Sequence, residues 1–296
     1  MSNPFFTVII PTYNRPLALY DAIQSVLKQS FSDFEILVVN NGEEALALGV
    51  IHQISDKRLR YINEARKGAN NARNTGIENG AGRFICFLDD DDLYLPHHLK
   101  TLYDLILVNR ERTALYRTFT SIERSSGVME EQIVGLKDPS ETALEHSYKI
   151  MLFMGCVCCS RSILGDLKFD PSIEIAQDYQ LFSRILARFP MIESTEITTL
   201  YRKTEDSTSS PTFDKYLKYI KVYSDLFKDP LVSAQLSAQA QNNLLFRFHD
   251  FMLSGHYNEM NWEAFIKYSF RAAGYKRGYF FRKGYLKLFL KKVMRR

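Results

Sequence analysis

The chain has 296 residues, 46% of them apolar, enough for one large domain or one and a half smaller ones around a real core. Its net charge of +4 is unevenly spread: Lys267 to Arg296 carries eleven Lys/Arg and no Asp or Glu, so the body before it is acidic overall. Three things are not expected: the four cysteines lack the second Cys or His pair of a zinc site, Met1-Ser2-Asn3-Pro4 lacks the basic region of a signal peptide, and no segment holds the roughly 20 apolar residues of a membrane-spanning helix.

Phe5 to Ile10 is apolar and β-branched and ends at Pro11-Thr12-Tyr13-Asn14-Arg15-Pro16, which reads as a strand and a polar loop. Leu19, Ala22, Ile23, Val26 and Leu27 then recur at helical spacing. Phe34 to Val39 is a second strand, stopped by the turn signal Asn40-Asn41-Gly42. Strand, helix and strand in that order predict a βαβ unit and a parallel pair. A helix over Ala45 to Ser55 and a third strand at Leu59 to Asn63 follow. Gly68 opens another helix, with Arg73 one turn in, and Gly80-Ala81-Gly82 closes it. A glycine at a helix start beside an arginine suits an anion such as a pyrophosphate, or else is a plain cap with a surface arginine.

The pattern centres on Phe84 to Pro96, where five apolar residues run into Asp89-Asp90-Asp91-Asp92. A short run apolar on both faces suits a strand buried in a parallel sheet, with the acids at its C-terminal end, where open α/β sheets place ligands. Four adjacent carboxylates repel one another and need water or a cation. Hard oxygen ligands suit Mg²⁺ or Mn²⁺, and a solvated acidic turn capping the next helix is the alternative.

Pro96 to Leu107 is helical, with His97 and His98 at its start expected on the surface, and Ala114 to Ile122 is a strand. Glu123 to Glu145 is a long polar connection, read as a lid or a surface hairpin. Ile150 to Ser160 includes a strand; Cys156, Cys158 and Cys159 there, and Cys86, read as reduced and buried, as a reducing compartment allows. A helix precedes Phe169-Asp170, and another begins near Gln177-Asp178-Tyr179, with Asp178 in its first turn, where a carboxylate also suits the helix dipole. A strand ends at Leu200-Tyr201-Arg202, and the Ser/Thr-rich stretch from Glu205 to Thr212 marks a boundary between residues 1–210 and a helical region, 211–296. The tail from Gly274 interleaves aromatic residues with Lys and Arg. That composition fits an anionic membrane surface best, ahead of nucleic acid or a packed helix with a solvated basic face.

Taken together these segments resemble the family 2 glycosyltransferases. Thr7 to Arg15 is similar to the family's first strand and nucleotide loop, and Ser25 to Val39 to its first helix and second strand. Gly68 to Gly76 fits Gly-x-x-x-Ala-Arg-Asn-x-Gly, and Leu88 to Asp92 the metal-binding Asp-x-Asp element. Phe169-Asp170 with Gln177-Asp178-Tyr179 resembles the segment of the catalytic base. The resemblance spans roughly residues 5 to 205. It implies an α/β fold of the GT-A type, a mainly parallel sheet flanked by helices, and an inverting transfer from a nucleotide-diphosphate sugar with Mn²⁺ or Mg²⁺.

Carried over by residue, the resemblance implies a nucleotide site of Pro11, Tyr13, Arg15, Asn41, Gly68, Arg73, Asn74, Asp89 and Asp90, with Tyr13 stacked on the base. Asp91 would ligate the metal and Asp178 would be the general base. Three departures stand out: Asn40-Asn41 for the usual Asp-Asp, Gln177 for the usual Glu, and no histidine two residues after Tyr201-Arg202. The first bears on nucleotide identity, with UDP favoured by family habit. The expected acceptor is a hydroxyl of a glycan or lipid-linked glycan in surface polysaccharide assembly. The enzyme would be cytoplasmic and peripheral on the inner membrane face, with a homodimer possible through exposed aromatics. A sugar-nucleotide pyrophosphorylase would want a Gly-rich basic loop in place of Pro11-Thr12-Tyr13-Asn14, and a non-catalytic nucleotide-binding scaffold would keep its activity without Asp178.

Overall fold

The computed structural model describes residues 3–124, 126–131, 140–150, 152–203, 213–256, 262–276, 279–281, 285 and 289–291. The chain forms two units, Met1–Pro139 with Ile150–Glu205, and Ser140–Lys149 with Asp206–Arg296.

In the first unit the chain runs β1 (Phe6–Thr12), α1 (Pro16–Leu27), β2 (Phe34–Asn40), α2 (Glu44–Ile51), β3 (Leu59–Asn63), α3 (Ala69–Asn79), β4 (Phe84–Phe87), β5 (Leu93–Tyr94), α4 (His98–Val108), β6 (Leu115–Arg124) and β7 (Met129–Glu131). After α5 (Ala143–Lys149), which belongs to the second unit, come β8 (Val157–Ser160), α6 (Gln177–Leu186) and β9 (Met191–Lys203). The strands lie in the order β3-β2-β1-β4-β8-β6-β9-β5, with β7 on the outer part of β6. The first four are parallel, as the sequence predicts. Beyond β4 the sheet is mixed: β8 enters antiparallel between β4 and β6, while β6 and β9 are parallel.

β1 and β2 are buried at every position because helices cover both faces, hence their continuous apolar run. Pro16 starts α1, where its fixed φ and missing N–H cost nothing, and Leu19, Ala22, Ile23 and Val26 turn inward. In-register pairs Thr12↔Asn40 and Asn40↔Asn63 bring the C-terminal ends of three strands to one edge. The loops after β1, β2, β3 and β4 all leave there, carrying the residues singled out above. At the opposite end Glu35 accepts from Thr7 Oγ1 at 2.7 Å, from Arg60 at 2.6 Å and from the Ala81 N–H. Burial works against that carboxylate, but these donors hold its pKa below the ordinary value.

Two expectations are corrected, and of the two readings of the polar connection the hairpin is seen in part. His98 is fully buried, not on the surface: its ring packs 3.8 Å from the Tyr94 ring and its Nδ1 bonds Thr198 Oγ1 at 2.7 Å. Burial pushes its pKa down to about 3, so it is a neutral core histidine. The helix expected before Phe169 is a single 3-10 turn, Arg161–Leu164. The polar stretch after residue 123 starts as a hairpin, β6 with β7, and ends in α5; residues 132–139 lie outside the described ones. The four cysteines are free and buried.

The second unit is helical: α5, α7 (Phe213–Leu226), α8 (Pro230–Ala234), α9 (Ala238–His256), α10 (Trp262–Tyr275) and a 3-10 turn, Tyr279–Phe281. Its core is largely aromatic and includes Tyr216, Phe246, Phe265, Tyr268, Tyr279 and Tyr285. Two tyrosines of the basic tail are thus spent on packing, while Phe270 and Leu290 stay exposed. No helix among the described residues is long and apolar enough to cross a membrane.

Candidate active site

The site begins where β4 ends. The Leu88 N–H donates to the Ile9 carbonyl at 3.0 Å, extending the ladder by one residue, and the chain then turns, with the Asp92 N–H on the Asp89 carbonyl at 3.1 Å. Three arginines from distant parts of the chain hold this acidic turn. Arg15 Nη1, from the loop after β1, bridges Asp91 Oδ2 at 2.7 Å and Asp90 Oδ1 at 3.1 Å. Arg73 Nη2, from α3, pairs with Asp89 Oδ1 at 2.6 Å. From β9, Arg202 Nε donates to the Asp91 carbonyl at 2.8 Å, and the Arg202 N–H donates to Asp92 Oδ1 at 3.1 Å. Thr12 Oγ1 adds a bond to Asp90 Oδ2 at 2.7 Å.

These donors do not cancel the charge. Burial raises the Asp90 pKa to about 6, against the Thr12 hydroxyl and Arg15, with Asp91 and Asp89 adding to the rise. Burial and Asp89 raise Asp91, and burial with Asp89 and Asp91 raises Asp92 well above the usual carboxylate range. A turn whose acids resist ionisation beside three guanidiniums has room for more positive charge. Its donors are carboxylate oxygens, the chemistry that suits Mg²⁺ or Mn²⁺. Among the described residues no group of three or more His, Cys, Asp or Glu could hold an ion alone. The residues therefore fit a hard divalent ion that takes one or two ligands from the protein and the rest from phosphate and water.

A second group of residues forms a rim. Tyr13 stands 54% exposed on the loop after Pro11, which is itself buried. Asn14 adopts a positive φ of 55°, and its Oδ1 accepts the Glu43 N–H at 2.6 Å, joining the loops after β1 and β2. Gly42 makes this approach possible, because a Cβ there would overlap the Asn14 side chain. Asn41 Nδ2 donates to the Gly68 carbonyl at 2.7 Å, and no described residue bonds its Oδ1. Gly68 precedes α3 at φ 108°, a conformation that L side chains rarely adopt.

Arg73 ties the acidic turn to α6. Its Nη1 donates to Gln177 Oε1 at 2.7 Å, and its guanidinium lies 5.4 Å from the Phe169 ring. Gln177 precedes Asp178, and α6 starts from Ala176 in the left-handed region at φ 56°. Burial pushes the Asp178 pKa up to about 6, against the Tyr179 N–H and the Arg73 charge, while Asp89 adds to the rise. A carboxylate poised there is mostly ionised at neutral pH yet basic enough to accept a proton. Asn74, expected in the same pocket, has both ends of its amide bonded to the Phe169 backbone, at 2.8 and 3.0 Å. It therefore clasps the segment that leads to Asp178.

The structure thus gathers Arg15, Arg73, Asp89, Asp90 and Asp91 into one network, with Asp178 linked through Gln177, and sets Tyr13, Asn41 and Gly68 on the rim. Sequence reasoning missed Thr12, the buried Asp92 and the clamp by Arg202. The pair Tyr201-Arg202 was the only available signal for the clamp; Thr204, where the family's histidine would stand, lies outside the described residues.

The profile of glycosyl transferase family 2 matches residues 7–160, which contain the nucleotide-loop motif, the Gly68 segment and the four aspartates. Among curated relatives, the Escherichia coli UDP-Glc:alpha-D-GlcNAc-diphosphoundecaprenol beta-1,3-glucosyltransferase WfgD is 29% identical over 236 residues, covering 78% of this chain and 90% of the relative. Among solved structures, Staphylococcus aureus TarS 1-349 in complex with UDP-GlcNAc superposes at a TM-score of 0.68, with 17% identity over 93% of this chain and 81% of that one. The mannosyltransferase PcManGT from Pyrobaculum calidifontis, in complex with GDP-Man and Mn²⁺, has a TM-score of 0.58 and 14% identity over 100% of this chain and 87% of its own.

Proposed function

Because the chain belongs to glycosyl transferase family 2, we propose that it is a metal-dependent, inverting enzyme that moves a sugar from a UDP-sugar to a hydroxyl of a glycan or lipid-linked glycan during surface polysaccharide synthesis. One observation carries the reading: the Arg73 guanidinium joins Asp89 of the acidic turn to Gln177, the neighbour of a carboxylate whose pKa is near 6.

The donor's base stacks on Tyr13, and the free Oδ1 of Asn41 accepts an N–H from its edge. Uracil offers such an N–H at N3, and the donor named for WfgD is UDP-Glc, which favours UDP. Asp89 and Asp90 would hold the ribose and the ion, and Arg15 would help to bind the diphosphate. Mn²⁺ or Mg²⁺, held by Asp91 with help from its neighbours, would offset the charge that grows on the leaving diphosphate. Asp178 takes the proton of the acceptor hydroxyl as its oxygen attacks the anomeric carbon opposite the diphosphate. The new C–O bond forms as the bond to the diphosphate breaks, the anomeric centre inverts, and UDP departs with the bonding pair.

WfgD acts on a sugar linked to diphosphoundecaprenol. The cationic run after Lys267 would hold this chain at an anionic membrane surface that presents such an acceptor, at ~1 kcal/mol per basic residue close to the surface. The test is UDP release from a panel of UDP-sugars with Mn²⁺. Wild type should turn over at least one donor, and Asp178→Asn should lose about 10²–10⁴-fold in rate while still binding UDP. Undiminished release by Asp178→Asn would overturn the assignment of the base.

A further inference from the structure

The second unit contains a groove of about 720 Å³ that the reaction above does not use. Its walls come from one face of α5, with Glu145, Tyr148 and Lys149, and one face of α9, with Gln239, Asn243 and Arg247. The α9 residues lie four apart and so form a single stripe. Facing helices ordinarily close on an apolar seam. Here polar stripes, with Tyr148, Leu244 and Phe246 between them, line an open space the size of a ligand pocket.

We propose that this groove binds a saccharide chain, a stretch of the growing glycan, on the premise that the enzyme is a glycosyltransferase. Its charges balance: Glu141, Glu145 and Asp250 stand with Lys149, Arg247 and Lys276, which disfavours a polyanion such as nucleic acid. Its acceptors are fixed in place. Glu145 Oε1 takes both the N–H and the hydroxyl of Ser237 at 2.9 Å, and Glu141 is paired with Lys149. Donors stand beside them. Arg247 is exposed with no partner among the described residues, and Gln239 donates to Asn243 Oδ1 at 2.9 Å, which leaves the Asn243 amide N–H groups to a ligand. A sugar hydroxyl donates and accepts at once, so it satisfies mixed walls of this kind. An apolar ligand would leave them unpaired. Tyr148 and Leu244 offer apolar surface for the C–H face of a pyranose ring.

The experiment is saturation-transfer NMR on the full chain, with the neutral trisaccharides chitotriose, cellotriose and maltotriose as probes. Wild type is compared with the exposed double variant Asn243→Ala/Arg247→Ala and with Ala240→Trp, which fills the groove. At least one probe should give a signal that survives saturating UDP and Asp178→Asn. Both groove variants should weaken it about fivefold or more, as expected on losing two hydrogen bonds, with the circular dichroism unchanged. A signal equal in wild type and both variants, or none in wild type, overturns the proposal. Sugar transfer with a groove-independent signal rejects the groove and keeps the enzyme. A groove-dependent signal without transfer from any donor keeps the groove and rejects the enzyme.

Discussion

Asp178 works only while ionised, and burial has moved its pKa to about 6. The acid limb of kcat/KM should therefore fall near pH 6, well above the value of an exposed aspartate. The Arg73 charge opposes that rise, and Arg73 is itself bonded to Gln177. As a neutral partner it leaves the Arg73 charge free to favour the Asp178 anion, whereas Gln177→Glu would add a like charge next to the base and compete for Arg73. The variant should shift the acid limb upward while UDP affinity stays close to wild type, which a pH series of initial rates and UDP calorimetry will read. A limb that stays in place would mean that Arg73 and Gln177 do not tune the base. The residue types at these positions were legible in the sequence, but their pairings were not. Nothing in the order of residues says that Arg15 spans two aspartates 75 and 76 positions away, or that Arg202 reaches Asp91 across 111. His98 misled for a related reason: one turn of α4 and the strand beside it bury a side chain whose type alone suggests solvent.

Loops position the rim, and they depend on close backbone approach. Gly42→Ala would press a methyl group into Asn14 and displace the loop that carries Tyr13. Relieving such an overlap costs ~1–3 kcal/mol, so UDP affinity should weaken about tenfold while the melting temperature falls only slightly. Asn74→Ala tests the other support. It strands the Phe169 N–H and carbonyl in a buried setting, at ~1–3 kcal/mol for each orphaned group, and a urea titration should record the loss. An unchanged midpoint would show that the clasp contributes nothing. Hydrophobic period and turn residues made the strands and helices up to β4 readable. The entry of β8 between β4 and β6 was not, because antiparallel insertion depends on which strand edge is left open rather than on any local pattern.

Across the whole molecule, the acidic turn and the base leave a signature in stability. Asp90 and Asp178 titrate near 6 in the folded chain and near 4 when unfolded, so between those values the folded state binds more protons. Their contribution to stability accordingly falls as pH rises through that window. Glu64 works the other way: Arg66 and Thr75 hold it at about 2, and its contribution is lost only as pH falls below the ordinary carboxylate range. His98, at about 3 folded against 6.5 unfolded, acts in the opposite sense between those values, so the aspartate contribution is read as the difference in melting temperature between wild type and Asp178→Asn in chelator, which should decline from pH 5 to 7.5. Mn²⁺ should raise the wild-type melting temperature more at pH 7.5 than at pH 5, since a cation binds ionised carboxylates. The measurement that tests the central claim most directly is calorimetry of UDP, GDP, dTDP and CMP with and without Mn²⁺, on wild type and Asp91→Ala. The account predicts that UDP binds wild type only with Mn²⁺ and fails to bind Asp91→Ala. Equal binding by the variant, or no nucleotide bound under any condition, would contradict it and leave the four aspartates a turn held by its arginines alone.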